Sequence, residues 1–228
     1  MLLHIPQVLG AEPLAHLHQH LANAGEAWVD GRVTAGSQGA SVKQNQQLAE
    51  QAAVARQLGD VVLAALERNT QFISASLPHR VYPPMFNRYQ GGMHFGDHID
   101  NAVRLLPGSG MKIRTDLSAT LFLNNPADYD GGELVVESST GSQRVKLAAG
   151  DLLLYSASTV HRVEPVTRGE RLACFFWVQS MVRDDAQRML LFDLDRSIQR
   201  LTATGADESA RVQLAGSYHN LLRMWAEV

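Results

Sequence analysis

Between Pro78 and Ser180 the chain is a succession of short apolar runs, most of them separated by glycine. Leu117, Ala119, Leu121 and Leu123 alternate with Ser118, Thr120 and Phe122, the period-two pattern of a half-buried strand. Glu133–Glu137, Gln143–Leu147, Asp151–Tyr155, Val160–Val166 and Arg171–Val178 follow, with turns marked by Gly131–Gly132, Gly141, Gly150 and Gly169. Many short strands joined by glycine turns restrict this region to a sandwich or barrel and argue against a βαβ sheet.

The flanks read differently. From Glu12 to about Ser76 the signals are helical: Pro13 sits in a first turn, with Leu14, Leu17 and Leu21 on one face. After the glycine-bearing stretch 31–39, Leu48, Ala52, Ala55, Leu58, Val62 and Leu66 recur at helical spacing to about Arg68. Beyond Arg183, Ala186, Leu190, Leu194, Ile198 and Leu201 predict one helix, and Val212, Ala215, Tyr218, Leu222 and Trp225 a second, capped by Asp207. This hairpin is expected to pack on the β core or on a neighbouring subunit, so the C-terminal helices are a candidate homo-oligomer contact. The predicted organisation is α+β: a helical N-terminal flank over residues 1–77, a strand-built core over 78–180 and a C-terminal helical hairpin over 181–228.

At 228 residues the chain is long enough for one well-packed domain. A net charge of −3 and the lack of a basic stripe argue against a nucleic-acid partner. The single cysteine, Cys174, lies in an apolar run and reads as a small core residue, so nothing points to an oxidising compartment. Neither a basic leader nor a bilayer-length apolar run is visible, which makes a cytoplasmic location the expectation and a membrane partner unexpected.

The chemistry concentrates in RYQGGMHFGDHID, Arg88 to Asp100. In an extended segment His98 and Asp100 point to the same side, which offers a metal two ligands. His161, just after an apolar run, is the strongest candidate for the third. Two histidines and a carboxylate leave coordination positions open, as non-haem Fe(II) oxygenases require, although zinc accepts the same ligand types. Arg171 favours iron. It opens a strongly apolar strand in alternation with Ala173, Phe175 and Trp177, and a guanidinium directed into an apolar barrel is costly unless it meets an anion. Its planar fork suits the far carboxylate of 2-oxoglutarate, and Tyr89 could add a hydroxyl donor to the same acid.

Around this set, His94 is expected as a hydrogen-bond partner of a ligand or as pocket wall, and Asp97 as solvated. Tyr155 either lines the co-substrate pocket or packs. Segment 101–112, with Arg104 and Lys112, reads as a substrate lid or a surface excursion. On a helix His16 and His20 share a face, a weak metal-binding signal. Gly91–Gly92 and Gly131–Gly132 read as turns, because neither opens a helix in the manner of a phosphate loop.

The spacing Tyr89, Gly92, Phe95, His98, Asp100, followed in order by LFLNNPADYDGGELVV, AGDLLLY and HRVEPVTRGERLACFFW, resembles the prolyl-4-hydroxylase-like branch of the Fe(II)/2-oxoglutarate-dependent dioxygenases. The overall length and C-terminal helices make the chain similar to the bacterial PKHD-type hydroxylases in particular. The resemblance implies a double-stranded β-helix (jelly roll) core and iron on His98, Asp100 and His161. It also implies 2-oxoglutarate on Arg171, L-ascorbate as supporting reductant, and a link to iron homeostasis. The reaction expected is hydroxylation of an unidentified protein, peptide or small-molecule substrate, with O2 consumed and succinate and CO2 released. Phe95 stands where related enzymes often carry tyrosine, and is expected to pack. Two other classes remain open at this level: a jelly-roll iron sensor without turnover, and a cupin-like metalloenzyme that does not use 2-oxoglutarate.

Overall fold

The computed structural model describes residues 1–138, 141–205 and 207–228, and in it the strands pair antiparallel throughout. Among the described residues the larger sheet has eight strands. From one edge to the other run Leu2–Ile5, Leu152–Ser156, Leu117–Phe122, Glu170–Ser180, Met85–Gln90, Gln46–Leu48 and Trp28–Asp30, while Pro78–Val81 also pairs with Glu170–Ser180. The smaller sheet orders Gly141–Val145, Leu134–Ser138, His161–Val163, His94–His98 and Lys43–Gln44.

Side-chain alternation explains how the layers stack. Tyr89, Phe122 and Tyr155 of the larger sheet share a buried cluster with Leu134, Val136 and Val163 of the smaller, so the two sheets face each other. The intervening positions, Leu117, Ala119 and Leu121 together with Cys174 and Phe176, point the other way. There they meet Leu17 of the helix Ala11–Ala22, Leu58 of Ala53–Arg68 and Phe72 of Thr70–Ser76. Leu117–Phe122 is therefore buried at every position. The half-buried strand that its alternation predicts does not occur, because the polar face carrying Ser118 and Thr120 meets the second sheet rather than water.

The N-terminal flank also departs from expectation. Residues 1–77 contain the predicted helices but also supply Leu2–Ile5, Trp28–Asp30, Lys43–Gln44 and Gln46–Leu48 to the sheets. Leu48, which fits helical spacing, belongs to a strand, and the helix begins only at Ala53. Strands of two to four residues hold too few side chains to express a period, and their partners lie far away in sequence.

At the other end, Asp185–Ala203 and Glu208–Trp225 form the hairpin, and Asp207 accepts a 2.7 Å hydrogen bond from the Ala210 amide as the expected cap. The buried stripe of the first helix is rotated from the predicted one. Arg188, Leu191 and Phe192 are buried while Leu190 is 60% exposed, because the helix docks on Leu77 and Val182 and on the Thr70–Ser76 helix. No helix among the described residues is long and apolar enough to cross a membrane.

Candidate active site

His98 closes its strand and His161 opens another, and the pairing of these two strands sets the residues opposite each other. Asp100 follows two residues after His98. The three ligand atoms fall within 4.8 Å of one another, with His161 Nε2 3.7 Å from Asp100 Oδ2. Each group is oriented through its other polar atom. His98 Nδ1 donates to the Gly96 carbonyl at 2.8 Å and His161 Nδ1 to the Thr159 carbonyl at 2.9 Å, which leaves both Nε2 lone pairs free for a metal. Ser118 Oγ donates to Asp100 Oδ2. Burial, and then the neighbouring His161, push His98 down to about 4 and keep it in the neutral, ligating form.

Aromatic rings hold the imidazoles. Phe95 packs, as expected: it lies flat on His98 with centroids 3.5 Å apart and an interplanar angle of 12°. Tyr155 meets His161 edge-on at 5.1 Å, so it both lines the pocket and fixes a histidine. Burial, followed by Asp100, raises the Tyr155 phenol and keeps it protonated. Two imidazoles and one carboxylate, each held by an outer partner, form a donor set that fits a divalent metal.

The same cavity, of about 220 Å³, reaches Arg171, which is 1% exposed. The guanidinium carbon lies 5.3 Å from the centre of the Tyr89 ring and 5.4 Å from that of Phe122. Nε and Nη2 of Arg171 are buried without a hydrogen-bond partner among the described residues, as is the Tyr129 hydroxyl. Nε and Nη2 together form the edge that, in the surface residue Arg168, grips both carboxylate oxygens of Asp130 at 2.7 and 3.0 Å. Left unpaired in a buried site, that edge has the geometry to receive a carboxylate. Tyr89 lies directly across the strand pair from Arg171, and burial pushes its phenol up to about 12, so it remains a donor.

The other expectations divide. Asp97 faces solvent and pairs with Arg162 at 3.2 Å. Segment 101–112 is no bare loop: Val103–Leu105 pairs with Lys112–Arg114, and Asn101 and Arg104 reach the pocket wall. His94 is a correction, since it belongs neither to the ligand cluster nor to the cavity lining, and its Nδ1 donates locally to the Gly92 carbonyl. Although it shares a strand face with His98, four residues of extended chain separate the two by roughly 13 Å, beyond the reach of a ligand contact. The rings of His16 and His20 lie 4.2 Å apart, but no third ligand joins them among the described residues.

Sequence reasoning missed Ser118, Thr120, Lys43, Asn87 and Tyr129 as residues of this region. For Ser118 and Thr120 a signal existed in the polar half of the alternating strand, which reads as solvent-facing until the second sheet is known.

Comparison with known proteins places the chain in a family. Residues 84–179 match the model of the 2OG-Fe(II) oxygenase superfamily, and residues 185–227 match the PKHD-type hydroxylase C-terminal domain. A PKHD-type hydroxylase of Paraburkholderia phytofirmans is 63% identical over 227 residues, covering 100% of both chains. Among solved structures, a Pseudomonas putida prolyl-4-hydroxylase is 22% identical, with a TM-score of 0.53 over 78% of this chain and 92% of its own. A prolyl hydroxylase from Trichoplax adhaerens, solved with a hypoxia inducible factor peptide fragment, is 17% identical with a TM-score of 0.57 over 83% and 86%. At these identities the two structures share the fold.

Proposed function

The chain belongs to the PKHD-type hydroxylases of the 2OG-Fe(II) oxygenase superfamily, and from that premise we propose that His98, Asp100 and His161 hold its iron and Arg171 anchors its 2-oxoglutarate. The protein is thus an Fe(II)- and 2-oxoglutarate-dependent dioxygenase, an oxidoreductase that consumes O2 to hydroxylate a substrate. Family membership displaces the sensor and cupin-like alternatives. The observation that carries the residue assignment is the unpartnered Nε–Nη2 edge of Arg171, buried in the same cavity as the three ligands.

When bound, Fe(II) with 2-oxoglutarate supplies O2-driven oxidation of a C–H bond, coupled to decarboxylation to succinate and CO2. The chain's own residues do the positioning. Arg171 pairs with the distal carboxylate in a water-poor cavity where such a pair is strong. Tyr89 and Tyr129 present hydroxyl groups beside it, and the Tyr129 hydroxyl lacks any other partner among the described residues. The Gly96 and Thr159 carbonyls hold the histidine tautomers, and Ser118 holds the Asp100 carboxylate. Phe95 and Tyr155 keep the imidazole rings from turning and screen them from water.

We read the two facing sheets as the double-stranded β-helix (jelly roll) core of residues 78–180, flanked by residues 1–77 and followed by the hairpin 181–228. The shared fold of the solved oxygenases supports that reading. Family likeness also supports L-ascorbate as reductant, which ascorbate dependence of 2-oxoglutarate consumption tests. A cytoplasmic location rests on the lone buried Cys174. Leu190, Val212 and Met224, 60%, 65% and 74% exposed on the hairpin, support a homo-oligomer through these helices. Light scattering of wild type and Leu190→Glu/Met224→Glu tests it: a wild-type monomer would refute it.

The deciding experiment is anaerobic titration of the protein with Fe(II) and then 2-oxoglutarate, read by the visible metal-to-ligand charge-transfer band. The band forms in wild type, weakens in Arg171→Ala and vanishes in His161→Ala. A folded, iron-loaded wild type without a band would overturn the assignment.

A further inference from the structure

Along the strand that carries Arg171, the cavity wall continues into side chains with no role in holding iron or 2-oxoglutarate. This part of the lining carries the aromatic rings of Phe175 and Trp177, together with Asn87, Lys43 and Arg104. Lys43 is 6% exposed, and its Nζ touches only neutral groups, Thr34 Oγ1 and Gln47 Oε1, both at 3.3 Å. The same ammonium lies 5.1 Å from the centre of the Phe95 ring, the ring that covers His98. Arg104 stacks at 4.1 Å on Trp177 and 5.0 Å on Tyr82, and its Nε is buried without a hydrogen-bond partner. Among the described residues no carboxylate lies within ion-pair distance of either cation. Asn87 Oδ1 and Gln47 Nε2 are likewise buried and unpartnered.

Charge balance sharpens the question. Lys43, Arg104 and Arg171 are the cationic side chains of the cavity lining, and Asp100 is its one carboxylate. A divalent metal and the 2-oxoglutarate dianion would cancel, so two positive charges remain uncompensated in the cavity lining. Burial, and then Arg104, lower Lys43, while Asp100, Asp30 and Glu50 act on it from a distance; the last two lie outside the lining, Asp30 held by Arg32 and Glu50 accepting from the Tyr82 hydroxyl at 3.3 Å. A buried ammonium and a half-buried guanidinium stacked on rings and left without anions are costly unless a ligand brings the anion. The unpartnered Asn87 Oδ1 adds a place for a hydrogen-bond donor on the same ligand.

We propose that the primary substrate of this oxygenase carries an oxyanion, carboxylate or phosphate, that seats between Lys43 and Arg104, with a neighbouring N–H or O–H donating to Asn87 and a flat or apolar portion against Phe175 and Trp177. The proposal rests on the assignment of Arg171 to 2-oxoglutarate, since that leaves this second cationic pair free for the substrate. The oxyanion fixes the substrate's far end, so the bond to be oxidised is one spaced from the acid by the distance between this wall and the triad.

The test uses the anaerobic Fe(II)·2-oxoglutarate protein and probes matched with and without the negative charge: benzoylglycine against benzoylglycinamide, phenyl phosphate against its neutral dimethyl ester, and N-acetylaspartate methylamide against its asparagine counterpart. Binding is read as a perturbation of the charge-transfer band and as a thermal shift, at saturating 2-oxoglutarate. At least one acid is expected to bind about tenfold or more tightly than its neutral partner. Lys43→Met and Arg104→Met should each erase that preference while the 2-oxoglutarate band persists, which also reports that the variants are folded. The carboxylate and phosphate arms distinguish the two sources of the anion.

Three results would overturn the proposal: acids and neutral partners binding alike, preference surviving both substitutions, or acids acting only by bleaching the band through displacement of 2-oxoglutarate. A wild type that forms no band at all would instead break the Arg171 assignment, a failure visible before any probe is added.

Discussion

Arg171 carries a price at the scale of one residue: its guanidinium is 1% exposed with Nε and Nη2 unsatisfied, so the apo protein bears a desolvated cation that only ligand relieves. Arg171→Met keeps the volume and removes the charge. It should weaken 2-oxoglutarate binding while leaving the ligand-free protein as stable or more stable, by up to about 3 kcal/mol. Thermal unfolding checks this, because each kcal/mol is worth about 2–4 °C at this chain size; a fall in the ligand-free melting temperature would mean that the guanidinium is already satisfied. In the proposed iron site Ser118 would act on the metal only through Asp100, to which its hydroxyl donates. Ser118→Ala should therefore weaken Fe(II) binding about 10–100-fold without unfolding the protein, as measured by anaerobic calorimetry. Arg171 is legible in sequence because a charge in an apolar run is anomalous. Ser118 is not, because a serine in an alternating strand looks ordinary.

Among the elements, the turn at Gly131–Gly132 shows how backbone geometry serves the site. Gly131 has φ +71°, and a Cβ there would sit 2.0 Å from the Pro165 carbonyl oxygen across the Asp130–Gly131 and Val166–Arg168 pairing. Next to it, a Cβ on Gly132 would crowd Arg171 Cδ at 3.1 Å. Gly131→Ala should cost about 2–4 kcal/mol in chemical denaturation. A near-neutral result would show that this turn can rearrange. The glycines are readable in the sequence as turns, but their closeness to Arg171 is not, because it depends on strands that return from elsewhere in the chain. The same limit explains Lys43–Gln44 and Gln46–Leu48, whose pairing with His94–His98 and Met85–Gln90 no local pattern announces.

Considered whole, the molecule stacks helices on a large sheet, a smaller sheet on its other face, and a C-terminal hairpin against the N-terminal helices. Leu191 joins the hairpin to Leu77 and Val182 and is fully buried. Leu191→Ala should cost about 2–4 kcal/mol and lower a single unfolding transition, since the hairpin shares its core with the rest. A separate early transition confined to the hairpin would instead mark residues 181–228 as an independent unit.

The sequence by itself determined the strand-rich middle and the helical ends, and it singled out His98, Asp100, His161 and Arg171 as the residues proposed for the chemistry, because each of these is written in local period or in a residue type at odds with its surroundings. Which face of Leu117–Phe122 meets water, which stripe of the hairpin is buried, why His94 lies out of reach and how Lys43 comes to share a cavity with Arg104 were decided only by tertiary structure. Burial and charge pairing are properties of neighbours, and in an antiparallel fold those neighbours are brought together by long-range pairing that no window of sequence contains.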